Sequence, residues 1–174
     1  MTTSKYKRNI IKYDAIHWLD HINKSYTFGN MVLLFSICPE YRSLFYFRVG
    51  VIHYLFSWIF RGRTNLFINT KDIGPGLIIQ HGFSTIISAK KIGSDCRILQ
   101  QVTIGFNHKL QQPIIGNNVV ICSGAKVIGG VRIGNNVIVG ANAVVVKDIP
   151  DNCVVGGVPA KILKTSRQDI EAEA

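Results

Sequence analysis

The sequence predicts a mainly β chain wound as a three-sided parallel coil of short strands and preceded by a helical segment, and three observations predict it. An aliphatic residue recurs every six positions, at Ile92, Ile98 and Ile104 and again at Ile115, Ile121, Val127, Ile133, Val139 and Val145. A second register of small or β-branched residues stands two positions earlier, at Cys96, Val102, Val119, Ala125, Val131, Val137 and Ala143. Glycine, finally, is sparse over residues 1–63 and closely spaced over residues 73–157.

Two inward positions repeated in every hexad match neither the 3.6-residue period of a helix nor simple strand alternation, so each repeat must contain a turn. The physical solution is a coil with three flat sides. The large aliphatic residue fills the axis, the small one fits beside a corner, and glycine or asparagine takes the corner itself. Asn117-Asn118 and Asn135-Asn136 suit such corners, because asparagine tolerates left-handed backbone at little cost. Eighteen residues make one coil, which assigns residues 92–109, 115–132 and 133–150 to three coils after an irregular one anchored on Ile73 and Ile79. The step from Ile79 to Ile92 is one residue longer than two hexads, and a bulge near Thr85-Ile86 is expected to absorb it. Between Ile104 and Ile115 the pattern lapses over Phe106–Gln112, and a loop is expected to leave the coil there.

The division follows from the composition: a helical head over residues 1–63, the repeat body over 64–164 and a tail over 165–174. In the head, Cys38-Pro39 reads as a helix stop and Ser43, ahead of Leu44, as a helix start. Leu44–Phe60 is apolar, but Arg48 and His53 interrupt it and it falls short of the ~20 residues that a spanning helix needs. Tyr46, Tyr54 and Trp58 followed by Arg61 and Arg63 would suit a helix lying on a membrane surface. Packing against the body or a neighbouring subunit is the other reading.

The net charge of +10 divides as +6 over residues 1–63, +6 over 64–164 and −2 in the tail, so it forms no single basic patch. Such a balance favours anionic partners, and no nucleic-acid-reading motif accompanies it. Cys38, Cys96, Cys122 and Cys153 form no Cys-x-x-Cys pair, which suggests neither a disulfide framework nor a zinc site. A reduced, cytoplasmic setting is expected, with peripheral contact at the inner face of the cell membrane as an option. His17 and His21 stand four apart on a predicted helix, but no third metal ligand is evident, and no metal is expected.

The body resembles the hexapeptide-repeat acyltransferases, and within them the serine acetyltransferase-like branch. The resemblance covers about residues 66–164 and rests on Gln80-His81-Gly82, Gln101-Val-Thr-Ile-Gly105, Gly124-Ala-Lys-Val-Ile-Gly129, Val145-Val-Lys-Asp-Ile-Pro150 and Gly156-Gly-Val-Pro-Ala-Lys161. Structural hexapeptide proteins and γ-class carbonic anhydrases share the repeat alone. The anhydrase needs three histidines on a metal, whereas this body offers only His81 and His108. The resemblance implies a left-handed parallel β-helix assembled as a homotrimer, with the active site between adjacent subunits and acetyl-CoA as co-substrate.

His81 matches the family's catalytic histidine. The hexad register places it two residues after the inward Ile79, at a corner and outside the core. An imidazole with an unperturbed pKa of about 6.5 can take a hydroxyl proton at neutral pH while that oxygen attacks the thioester carbonyl. For acetyl-CoA the resemblance points to Gly105, Ser123, Gly124 and Ala141, small enough for the pantetheine arm to run along the coil edges. Coil geometry alone would also explain them. Lys161 matches a position near the cofactor's phosphates, or serves as a solvated surface charge.

Serine acetyltransferases carry aspartate before the catalytic histidine, where this chain has Gln80, and a further aspartate where it has Leu66. Their Asp-Arg-His-Pro run aligns with Leu110, Gln111, Gln112 and Pro113. A zwitterion stripped of water needs charged partners. The expected acceptor is therefore a saccharide hydroxyl in bacterial surface polysaccharide biosynthesis, lined by Gln80, His108, Gln111 and Gln112. Serine O-acetylation in cysteine synthesis is the first alternative, and a non-catalytic scaffold the second.

Overall fold

In the computed structural model, residues 3–55 and 57–165 are described, so the tail expected over 165–174 lies, apart from Thr165, outside the described residues. Three α-helices lead the chain, α1 (Thr3–His21), α2 (Phe28–Ile37) and α3 (Pro39–Val49), followed by a 3-10 turn over Gly50–Leu55. Thr27 caps α2, its hydroxyl accepting the backbone N–H of Asn30 at 3.2 Å. Helix α3 starts at Pro39 rather than at the expected Ser43. Proline at the first helical position forfeits no intrahelical bond and has its φ preset. The Ser43 hydroxyl instead donates back to the Pro39 carbonyl and accepts the Arg63 N–H. The helix expected to run to Phe60 ends at Val49, because Gly50 turns left-handed at φ 72° and its N–H donates to the Tyr46 carbonyl. Among the described residues no helix is long and apolar enough to cross a membrane.

The body is a parallel β-helix of three sheets, each receiving one short strand per coil. The first holds β1 (Leu66–Ile68), β4 (Thr85–Ile87), β7 (Thr103–Gly105), β10 (Lys126–Ile128) and β13 (Val144–Val145). The second holds β2 (Asp72–Ile73), β5 (Lys91–Ile92), β8 (Ile114–Ile115) and β11 (Arg132–Ile133). The third holds β3 (Ile78–Ile79), β6 (Arg97–Ile98), β9 (Val120–Ile121), β12 (Ile138–Val139) and β14 (Val154–Gly156), with β15 (Lys161–Lys164) returning antiparallel along its edge.

The axis is filled by the aliphatic register read from the sequence. Ile79, Ile98, Ile121 and Val139 are paired rung to rung and at most 1 % exposed. Val102, Val119, Ala125, Val137 and Ala143 are fully buried beside the corners. Each corner must reverse the chain within a few residues, and this is where left-handed asparagines appear: Asn118, Asn136, Asn142 and Asn152 have φ between 53° and 58°. Their amides also join the coils, Asn118 Nδ2 donating to Asn136 Oδ1 at 3.0 Å and Asn136 Nδ2 to Asn152 Oδ1 at 2.8 Å. A neighbouring ladder links Asn117, Asn135 and Asp151, each side-chain oxygen accepting a backbone N–H of the preceding coil.

The head is fastened to the first coil by buried polar groups. Arg48 Nε donates to Asp14 Oδ2 at 2.9 Å and its terminal nitrogens donate to the carbonyls of Ile73 and Gly74 at 2.6 Å, while Asp14 Oδ1 accepts the Gly76 N–H at 2.7 Å. Burial pushes the Asp14 carboxyl above its ordinary range, and the Arg48 guanidinium pulls against that shift. Of the two roles read for the head, packing against the body is the one this geometry displays.

Candidate active site

The corner between β3 and β4 differs from every later corner of its edge. From Ile79 to the next axial residue, Ile87, the chain takes eight positions, whereas Ile98 to Ile104 and Ile121 to Val127 take six. The expansion expected near Thr85-Ile86 therefore lies earlier, at residues 80–84, and the following side is one residue short. Backbone pairing locates it: Gln80 N donates to Ile98 O at 2.9 Å, and Gln101 N donates to Phe83 O at 3.0 Å. His81 and Gly82 are the extra residues between those bonds.

His81 turns left-handed at φ 53°, as Ser84 does at φ 52°, and the Phe83 N–H closes the turn on the His81 carbonyl at 2.6 Å. The residue is exposed, and among the described residues no group hydrogen-bonds its imidazole. Its side chain lies outside the core, on the left-handed backbone of the corner. Gly82 beside it is buried in a space with no room for a side chain: an added Cβ would lie 2.6 Å from Ile79 Cγ2 and 3.3 Å from both Glu40 Cγ and Leu66 Cδ2. Glu40, buried at the start of α3, is ion-paired to Arg63, Nε to Oε1 2.7 Å. A carboxylate and a guanidinium from the head thus stand behind the histidine corner, and only their contact across 23 residues reveals it.

The bonds from Gln101 N to Phe83 O, Gly124 N to Gln100 O and Asn142 N to Ser123 O align Phe83, Gln100, Ser123 and Ala141 along a single edge, and His81 stands out from the first of these corners, two residues before Phe83. Gly124, next to Ser123, is left-handed at φ 72°, and an added Cβ would lie 2.0 Å from Asn142 Oδ1, so a side chain there would have to displace the Asn142 amide. Lys126 Nζ is held on this edge by the carbonyls of Gln101 at 2.7 Å and Gly124 at 2.9 Å. Gln80, half-buried, accompanies His81.

The remaining expected residues lie elsewhere in the chain. Gly105 ends β7 on the far edge of the first sheet, where the chain departs into the 106–113 loop. Asn107 organises that loop: its Oδ1 accepts from Lys109 N at 3.0 Å and Gln111 N at 3.2 Å, and its Nδ2 donates to Gln111 Oε1 at 3.0 Å. Gln112 Nε2 donates to the Ser88 carbonyl at 3.3 Å. His108 is exposed in the same loop, and Lys161 is exposed on β15 opposite Gly156. Within one chain, therefore, His81 and Gln80 stand at one edge of the first sheet and His108, Gln111 and Gln112 at the other. Among the described residues no three His, Cys, Asp or Glu side chains gather as metal ligands would.

Comparison with known proteins agrees with the repeat. Residues 112–147 match the family model "Bacterial transferase hexapeptide (six repeats)". A serine acetyltransferase of Synechococcus elongatus is 38 % identical over 124 residues, covering 68 % of this chain and 51 % of that protein. A serine acetyltransferase of Helicobacter pylori is 40 % identical over 99 residues, 55 % of this chain and 58 % of that one. The chain thus spans about half the length of the curated relatives it matches. The crystal structure of the Neisseria gonorrhoeae serine acetyltransferase superposes with a TM-score of 0.77 at 24 % identity, over 97 % of this chain and 69 % of that one. The Brucella abortus enzyme in complex with coenzyme A gives 0.70 at 23 % identity, over 94 % and 70 %.

These relatives overturn the expected saccharide acceptor and, with it, the role in surface polysaccharide synthesis. The structure supplies a physical reason for the misreading. The side chains of Gln111 and Gln112 are engaged within and beneath their own loop, so the neutral amides are not a free set of hydroxyl-binding groups. Charge absent from the loop is present in Glu40 and Arg63, far from it in sequence. Residues 112–147 thus carry the bacterial transferase hexapeptide repeat, set in a three-sheet parallel coil that serine acetyltransferase structures share.

Proposed function

We propose that the chain is an acetyl-CoA-dependent O-acetyltransferase whose acceptor is the hydroxyl of serine. The observation that carries the reading is the unpartnered, solvent-facing imidazole of His81 on an expanded corner, at the head of an edge lined by small residues. His81 takes the serine hydroxyl proton as that oxygen forms its bond to the acetyl carbonyl carbon. The carbon–sulfur bond then breaks, and His81 returns the proton to the departing thiolate of CoA. No acyl-enzyme is required. Backbone N–H groups at the corner are suited to the oxyanion.

Acetyl-CoA suits the residues present. Ser123, Gly124 and Ala141 leave the edge unobstructed for a pantetheine arm, and Gly105, Lys126 and Lys161 are further candidates on the cofactor side. A homotrimer accounts for the separation of His81 from the 106–113 loop, since a neighbouring chain brings the far edge of one first sheet to the near edge of another. Phe67, 53 % exposed, and Ile86, 39 % exposed, leave that sheet's outer face apolar, as a subunit interface requires. The reading places the protein in the cytoplasm, where acetyl-CoA and serine are found.

Following CoA release with acetyl-CoA and serine tests the reading, and turnover that depends on serine is expected. Binding of CoA without any serine-dependent release would overturn the acceptor assignment. A stable, fully active monomer in light scattering would overturn the trimer.

A further inference from the structure

Among the described residues, one buried side-chain polar atom lacks a hydrogen-bond partner: Oε1 of Gln100. Such an atom is costly, because an acceptor removed from water without a donor forfeits its hydration, so native chains rarely tolerate one without a use for it. Its position is specific. Backbone pairing sets Gln100 one coil beyond Phe83, two residues after His81 on the expanded corner, and one coil before Ser123, on the edge that continues to Ala141. The backbone of Gln100 is already engaged, its carbonyl accepting the Gly124 N–H at 3.0 Å. The side chain, at the corner one coil on from the expanded one, is the part left over.

We infer that Gln100 is a cofactor-binding residue whose Oε1 accepts the N–H of the pantetheine amide nearest the thioester of acetyl-CoA. The inference rests on the acetyl-CoA part of the proposed function and not on the acceptor. Its basis is a match of lengths: neighbouring coils are ~4.8 Å apart, and two methylenes separate the thioester sulfur from that first amide nitrogen, a comparable span. With the thioester at His81, the amide N–H falls one coil on, at the level of Gln100. The arm then continues past Ser123 and Ala141, where no long side chain obstructs it. An amide N–H leaving water needs an acceptor as much as the buried Oε1 needs a donor, so one bond satisfies both.

Gln100→Met keeps the side-chain length and removes the amide oxygen. Calorimetric titration should find CoA bound about tenfold more weakly by the variant, the size of one hydrogen bond. Adenosine 3′,5′-bisphosphate, which carries the nucleotide but no pantetheine, should bind both proteins equally. Without ligand the variant should melt no lower than the wild type, since an unsatisfied acceptor has been removed. Unchanged CoA affinity would overturn the inference and assign the Oε1 partner to water or to a neighbouring subunit. A lower melting temperature, or equal weakening toward the bisphosphate, would overturn it in favour of a structural role. If the wild type binds no CoA, this inference fails together with the acetyl-CoA reading. If CoA binds as expected but serine is not acetylated, only the acceptor assignment fails.

Discussion

The indole Nε1 of Trp18 donates to the Leu77 carbonyl at 2.8 Å, a buried bond across 59 residues that ties α1 to the first coil of the repeat body. Trp18 is 4 % exposed and tilted against Tyr41 at a ring-centroid distance of 5.7 Å, so it serves the packing of the head and its docking together. Trp18→Phe keeps most of the apolar contact and leaves the carbonyl without its indole donor. The expected cost is about 1–2 kcal/mol, while Trp18→Ala should cost about 3–5 kcal/mol. Chemical denaturation monitored by circular dichroism separates the two, and equal losses would mean the hydrogen bond contributes nothing.

Asn136 combines left-handed backbone at φ 56° with an amide that bridges Asn118 and Asn152. Asn136→Gly retains the backbone freedom and loses only the bridge, at about 1 kcal/mol. Asn136→Val loses both, and a further ~1–2 kcal/mol is expected from the left-handed strain on a side chain with a Cβ. Thermal melts of the two variants should therefore rank valine well below glycine. The reverse order would remove backbone conformation as the reason for asparagine at these corners.

Replacing His81 tests the proposed base with little structural disturbance if asparagine is used, because asparagine tolerates the left-handed φ of 53°. His81→Asn should lower kcat by roughly 10²–10⁴-fold, the usual contribution of a general base. The melting temperature and the affinity for CoA should stay close to wild type. A variant with near-normal kcat would exclude His81 as the proton acceptor.

Alkaline stability offers a test of the packed corners. Burial pushes the Cys96 thiol from its ordinary 9.0 up to about 11, and burial also raises the Tyr41 phenol. Both groups resist ionisation in the folded chain but ionise readily once unfolded. The Cys96 contribution is therefore fully present below about pH 9 and is lost as the pH climbs toward 11, whereas that of Tyr41 begins to fall only above its ordinary 10.0. For Cys96 the loss is on the order of 2–3 kcal/mol. Cys96→Ala should flatten the decline of unfolding free energy across that window, measured by denaturation at successive pH values. An unchanged slope would place the alkaline sensitivity elsewhere.

The repeat body was legible in the sequence because its period is set by covalent spacing. Ile98, Ile121 and Val139 announce the axis, Val102, Ala125 and Ala143 the space beside it, and Asn118 and Asn136 the corners. A coil that buries the same two positions each turn has no other way to arrange them. His81 was likewise readable, as a corner residue outside the hydrophobic register. The placement of the expansion was not. Ile92 stands thirteen positions after Ile79 in the sequence, and only the bonds from Gln80 to Ile98 and from Gln101 to Phe83 decide that the longer side is the histidine corner. The end of α3 at Gly50 was also lost in the apolar run of Leu44–Phe60, where the left-handed glycine cap outweighs the continuing hydrophobicity. The acceptor side misled most, since Leu110, Gln111 and Gln112 advertise neutrality in the chain. Only folding engages those amides within the loop, brings Glu40 and Arg63 behind Gly82, and leaves the Gln100 oxygen buried one coil from His81. Local periodicity fixes which residues face inward, whereas charge placement and hydrogen-bond satisfaction are long-range properties that the linear order does not encode.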